Sequence, residues 1–177
     1  MSRRDEVLTA AIELLDEVGL DAITTRRLAE RLGVQPGALY RHFGSKRELL
    51  DAMVERVITE APPVELSGDW ADKVRAIAVA SRAGMLTHRD GARLVATFAV
   101  PAPDALTAWQ RFVALFREAG LTEPAAMIAV DTVVSYVNGF TIEEQARPSK
   151  RTRPERDETF TAGLNLIIAG VRAGIPG

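Results

Sequence analysis

The stretch TTRRLAERLGVQPGALYRHFGSK, from Thr24 to Lys46, constrains the fold more than any other part of the chain. Leu28, Ala29 and Leu32 share one face of a short helix, and Gly33 breaks it. A second short helix starting near Pro36 then sets Leu39, Tyr40 and Phe43 at helical spacing. Two short helices joined by a tight glycine-containing turn form the helix-turn-helix pattern. The small Ala29 allows the helices to cross closely, and Gly33 can take the positive φ that a sharp turn requires. Extended by one residue, the stretch carries Arg26, Arg27, Arg31, Arg41, Lys46 and Arg47 against Glu30 alone, a net charge of +5. Such a surface suits a row of phosphates.

The whole chain points the other way. Its 177 residues carry a formal charge of −2, so the remainder outside residues 24–47 carries −2 minus 5, or −7. Charge is separated along the chain, and a DNA groove meets only the local value. With 47% hydrophobic residues the chain can bury a core, which excludes global disorder. The absence of cysteine excludes disulfides, thiolate metal sites and thiol catalysis, and fits a reducing cytoplasm. The start, MSRRDEVLTAAIELL, meets acidic residues at once and is periodic in its apolar positions, unlike an export signal. No uninterrupted apolar run of about 18 residues occurs, so no membrane span is expected and the protein reads as cytoplasmic. His42 and His88 lie far apart, which predicts neither a metal site nor a cofactor; His88, beside Arg89 and Asp90, reads as a surface or capping residue. Glu143 and Glu144 are adjacent on a helix and point in different directions, and no nucleophile with a base is present, so no enzyme is expected.

Taken in order, Val7, Leu8, Ala11, Ile12, Leu15 and Val18 form one stripe of a first helix over residues 5–18, ended by Gly19. Thr24 or Thr25 caps the second helix, which runs to Leu32. Ser45-Lys46-Arg47-Glu48 is a capping box that starts a helix carrying Leu49, Leu50, Met53, Val54 and Val57 inward. Pro62-Pro63 forbids its continuation and divides the chain into residues 1–60 and 61–177. Beyond it, helices are predicted over about 69–87, 91–99, 104–118, 123–146 and 156–173, with no strand pattern and no internal repeat. The last two are apolar on several sides and need several partners. The basic run Arg147, Lys150, Arg151, Arg153 and Arg156, broken by Pro148 and Pro154, reads as a mobile solvated loop.

On these motifs the N-terminal segment, with TTRRLAERLGV and LYRHFGSKRELL, closely resembles the DNA-binding domain of the TetR family of bacterial transcriptional regulators. LTHRDGARL, NGFTIEEQ and AGLNLIIAGVRAG resemble the tetracycline-repressor branch. The resemblance implies an all-α fold: an N-terminal three-helix helix-turn-helix DNA-binding domain followed by a C-terminal helical ligand-binding and dimerisation domain. It further implies a homodimer through the last two long helices, double-stranded operator DNA as partner, nucleoid association through that DNA, and a small effector that weakens binding. In the family the short third helix enters the major groove. Carried over by motif, Thr25, Arg26, Gln35, Gly37, Ala38, Tyr40, His42 and Lys46 face DNA. Tyr40 and Lys46 are assigned to phosphates, Arg26 and Gln35 to bases. Tyr40 also fits a packing role, and His42 that of a neutral spacer. Where tetracycline repressors place Gln-Pro-Thr, this chain has Pro36-Gly37-Ala38, which implies a different operator.

The same alignment puts Val95 where those repressors carry a histidine that binds the drug's magnesium, and Pro62, Ile77, Phe98 and Phe112 at other polar drug contacts. An apolar wall leaves the polar groups of a magnesium-chelated tetracycline unpaired. The implied effector is therefore apolar or aromatic, lined by Ile77, Met85, Val95, Phe98, Trp109, Phe112 and Phe116, with Asn138 or Glu143 orienting it. Ordinary core packing remains the alternative for each. A helical adaptor that does not bind DNA is the alternative function, and the cluster from Arg26 to Arg47 speaks against it.

Overall fold

A computed structural model describes residues 2–97, 103–147 and 150–174, and among these it contains helices and no strand. The order is α1 (Arg3–Val18), a 3-10 turn (Leu20–Ala22), α2 (Thr25–Leu32), α3 (Pro36–Leu39), α4 (Lys46–Thr59), α5 (Trp70–Leu86), α6 (Gly91–Val95), α7 (Pro103–Glu118), α8 (Glu123–Ala146) and α9 (Arg153–Ala173). Local chemistry sets most of these limits. Ser2 opens α1 with a capping box to Asp5. Thr24, rather than Thr25, caps α2 by accepting the Arg27 N–H at 3.2 Å. Gly33 ends α2 in the left-handed region, φ 66°, where a Cβ would be strained.

Three local expectations are corrected. Glu48 does not return its hydrogen bond to Ser45: the Ser45 hydroxyl accepts from the Glu48 N–H at 3.0 Å, while the Glu48 carboxylate accepts the Gly44 N–H at 2.7 Å. The second motif helix is a single turn, and the chain passes Tyr40 to Phe43 through turns anchored on the Leu39 carbonyl. The last helix starts at Arg153, because Pro154 sits in its first turn, where the missing N–H has no intrahelical partner to lose.

In the first domain, α1, α2 and α4 pack around Val7, Leu15, Ile23, Leu28, Phe43 and Met53, all buried. In the second, α8 is the central element, touching α5, α6, α7 and α9. Val74, Leu94, Phe116, Val130, Phe160 and Leu164 fill its surroundings, each fully buried. Burying a side chain of this size contributes roughly 1.5 to 3 kcal/mol. By length and composition α8 could cross a membrane, with a mean hydropathy of 1.4 over an 18-residue window. Asp131 interrupts that window, and the apolarity serves two faces. Val130, Val133 and Val137 turn inward, while Met127, Ile128 and Val134 stay exposed. On α9, Leu164 and Ile168 are buried while Leu166 is 76% exposed.

Candidate nucleic-acid interface

The turn at Gly33 joins α2 to α3 and packs the two short helices against each other. Thr25 begins α2 and is half-buried; Arg26 follows, exposed, with its Nε donating to Glu30 at 3.0 Å. That contact uses one edge of the guanidinium. Gln35 is the residue before α3, and its exposed carboxamide makes no capping bond. Gly37 and Tyr40 are exposed, Ala38 and His42 half-buried. At half exposure the Tyr40 ring is not a core residue. Lys46 opens α4, and its ammonium donates to the Ile23 carbonyl at 3.0 Å, tying α4 to the segment that enters α2.

The basic count is thinned by internal pairing. Arg31 binds Glu13 and Glu17 of α1 at 2.9 and 2.8 Å, so its charge fastens α2 to α1. Those bonds raise the Arg31 guanidinium above its ordinary value. Arg47 pairs with Asp51 and donates to the Thr97 carbonyl, and Arg27 donates to the Ala22 carbonyl. Arg4, from the first turn of α1, lies 4.6 Å above the Phe43 ring.

The two domains meet where the turn between α5 and α6 grips α1. Asp90 takes a left-handed conformation, φ 56°, and its carboxylate accepts the Leu20 N–H at 2.9 Å. Gly19 permits this approach, since a Cβ there would stand 2.8 Å from the Asp90 oxygen. Arg89 donates its backbone N–H to Asp16 at 2.9 Å and its guanidinium to the Glu17 carbonyl. Arg93 pairs with Asp21 at 2.9 Å. The Arg93 hydrogen bond and charge hold the Asp21 carboxyl below its ordinary value. From α8, Gln145 accepts the Ala92 N–H and donates to the Met85 and His88 carbonyls, fixing the turn. His88 is neither a surface nor a capping residue: its side chain is 13% exposed and lies between Asp16 and Glu60.

Met85, Val95, Phe112 and Phe116 are buried, and Ile77 and Trp109 are partly buried against the molecule's core. Phe116 stands 5.7 Å from the Trp70 ring and 5.6 Å from that of Phe112. Asn138 is half-buried on α8. Phe98 lies outside the described residues. Glu143 is not brought to this group: it is 65% exposed, 3.9 Å from Arg147, and lines a separate cavity of about 440 Å³ with Phe140, Glu144 and Arg156. Trp109 also borders a cavity of about 310 Å³ with Val113 and Met127 on the outer side of α7 and α8. The basic run is more ordered than expected. Arg156 binds Glu144 at 2.8 Å and the Arg151 carbonyl, and Arg151 donates to Thr159.

Comparison with known proteins agrees with this layout. The family model for bacterial regulatory proteins of the tetR family matches residues 7–53, and the tetracyclin repressor-like C-terminal domain matches residues 62–156. The tetracycline repressor protein class G of Vibrio anguillarum is 39% identical, covering 93% of this chain and 90% of its own. A TetR variant from Acinetobacter baumannii AYE in complex with minocycline superposes with a TM-score of 0.87 at 35% identity, covering 100% of this chain and 99% of its own. BioQ with its natural double-stranded DNA operator gives 0.80 at 31% identity, covering 98% and 99%.

Proposed function

Because the chain belongs to the TetR family of bacterial transcriptional regulators, we propose that it is a repressor whose homodimer leaves its operator when a small, largely apolar effector binds. The observation that carries the reading is the exposure of Arg26, Gln35 and Tyr40 along the α2–turn–α3 segment, which lies inside the family match to residues 7–53. Thr25, Gly37, Ala38, His42 and Lys46 lie on or next to the same segment, and the operator complex of a relative supports a DNA-facing role for it. Phosphate contacts from Tyr40 and Lys46 set the register, and Arg26 and Gln35 read base edges. Residues 1–60 form the reading domain and residues 61–177 the regulatory one, in a cytoplasmic protein held to the nucleoid by its operator.

The dimer rests on the apolar faces left open on α8 and α9, where Ile128 is 67% exposed and Leu166 more so. Large apolar side chains left exposed on both of these long helices support an interaction surface there. The effector assignment rests on the buried apolar side chains Met85, Val95, Phe112 and Phe116, with Ile77 and Trp109 packed against the core and the half-buried Asn138 as the polar candidate. Gel-shift titration with DNA flanking its own gene tests the function. Binding that weakens in Tyr40→Ala and Lys46→Ala is expected, and no binding even at low salt overturns the reading. Light scattering at micromolar concentration tests the dimer, which a monomeric mass overturns.

A further inference from the structure

The backbone that carries His88 is held in place before any proton is considered. Gln145 binds the His88 carbonyl at 2.8 Å, and Asp90, two residues on, is fixed by the Leu20 N–H. The turn so formed presents the imidazole edge-on to the first domain. Nδ1 lies 3.0 Å from Asp16 Oδ2 on α1, and Nε2 lies 3.4 Å from Glu60 Oε2 at the end of α4. One ring from the second domain thus touches two helices of the first.

Both contacts are with carboxylates, which only accept hydrogen bonds. A neutral imidazole has a single N–H and serves one of them, leaving a nitrogen lone pair facing carboxylate oxygen. Imidazolium has two N–H groups and serves both. The charged surroundings do not supply a substitute. Asp16 also accepts the Arg89 backbone N–H, and Glu60 also pairs with Arg56 on α4. The Arg89 side chain turns to the Glu17 carbonyl, Arg93 of α6 is bound to Asp21 and Asp90, and α8 offers the uncharged Gln145. Burial pushes the Glu60 carboxyl up, but the bonds and charges of Arg56 and His88 outweigh it and hold it below its ordinary value.

We propose that His88, Asp16 and Glu60 form a proton-operated clasp between the two domains, closed when the ring carries both protons and slack when it carries one. Histidine is the side chain type whose unperturbed charge change falls in the physiological range, so a pH series across that range is the way to read the clasp. The closed clasp fixes how the reading domain is carried, and in a dimer that sets the separation of the two reading helices. Operator affinity then depends on whether the ring holds its second proton. This consequence rests on the proposed function; the clasp itself does not.

Thermal melting of the full-length wild type, His88→Gln and Glu60→Gln between about pH 5.5 and 8.5 tests the clasp. The wild type is expected to exceed His88→Gln most at the acid end, with the gap shrinking by about 2 to 4 °C toward the alkaline end. Glu60→Gln, at an exposed helix end, is expected to flatten the wild-type dependence in part. A gap that stays constant across the range overturns the clasp. A duplex selected from a random library by the wild-type protein then tests the link to DNA. Wild-type affinity is expected to change about fivefold more than that of His88→Gln over the same range, with His42 present in both proteins. Equal pH dependence in the two overturns the link, and failure to select any duplex overturns the functional reading while the melting result still decides the clasp.

Discussion

Arg82 on α5 and Glu144 on α8 form a two-pronged ion pair at 2.8 and 2.9 Å, with 7% and 8% of their side chains exposed. Asp157 and Arg156 of α9 extend the pair at 2.7 and 2.8 Å, and the guanidinium lies 4.9 Å above the Phe160 ring. Burial acts against the charge of Arg82, but the two carboxylates outweigh it and raise the guanidinium above its ordinary value. Three helices of the second domain are therefore locked by one charge cluster in an apolar setting.

Removing one partner strands the other. Glu144→Ala is expected to cost about 3 to 5 kcal/mol, because Arg82 keeps only the half-exposed Asp157. Replacing both, Arg82→Met with Glu144→Leu, is expected to cost less than the single change, since no charge is left buried. Urea denaturation at fixed protein concentration checks the order, and a milder single mutant would contradict the account.

Helices were legible where their causes are local. The stripe from Val7 to Val18, the Thr24 and Ser45 caps, and the break at Pro62-Pro63 lie within a few residues of what they control. The errors were local as well: Glu48 reached one residue further back than a capping box requires, and Pro154 was read as a break although it sits in a first turn. The junction was not legible. His88 meets Asp16 across 72 positions and Arg82 meets Glu144 across 62, and no periodicity connects residues so far apart. A lone histidine beside Arg89 and Asp90 gave no sign of a second carboxylate from α4. Adjacent positions on a helix point in different directions, but which of Glu143 and Glu144 faces solvent and which anchors Arg82 is decided by α5, far away in sequence.

Lys46 and Tyr40 are separable by stability. The Lys46 ammonium already holds the Ile23 carbonyl, so Lys46→Ala is expected to lose about 1 kcal/mol of stability as well as operator affinity. Tyr40, half-exposed, is expected to lose affinity with stability unchanged within about 0.5 kcal/mol for Tyr40→Phe. Removing the Lys46 charge should also lower the salt dependence of binding by about one ion. Paired denaturation and salt-titrated gel shifts check both, and a Lys46→Ala protein with unaltered stability would remove its structural role.

Acid should open the junction from the opposite direction to the clasp. Asp21 and Glu60 both have carboxyls held below their ordinary values. A depressed carboxyl stabilises the fold above its unfolded value of about 4, and that contribution disappears as pH falls through the lower folded value. Melting temperature is therefore expected to fall below about pH 4, with Arg93→Ala showing less of this fall because its Asp21 pairing is already gone. Because Asp21 is exposed, the difference should be small and should shrink in high salt. Identical acid profiles at low salt would show that the Arg93 pair contributes nothing to the junction.

Tetracycline with magnesium is expected to leave both melting temperature and operator binding unchanged, despite the 39% identity to the class G repressor. The position aligned with the metal-binding histidine is Val95, which is buried in a core shared with Met85, Phe112 and Phe116. A hydrated divalent ion there would lose its oxygen partners without gaining an imidazole, and the drug's polar edge would face carbon. Glu143, the one acidic counterpart, points to solvent beside Arg147 and stands outside that core. An apolar ligand has the opposite preference, since it brings no polar group to be desolvated against carbon. A thermal-shift series comparing the tetracycline–magnesium complex with apolar aromatics decides between them. Stabilisation by the complex alone would mean that the apolar wall is not where the effector binds.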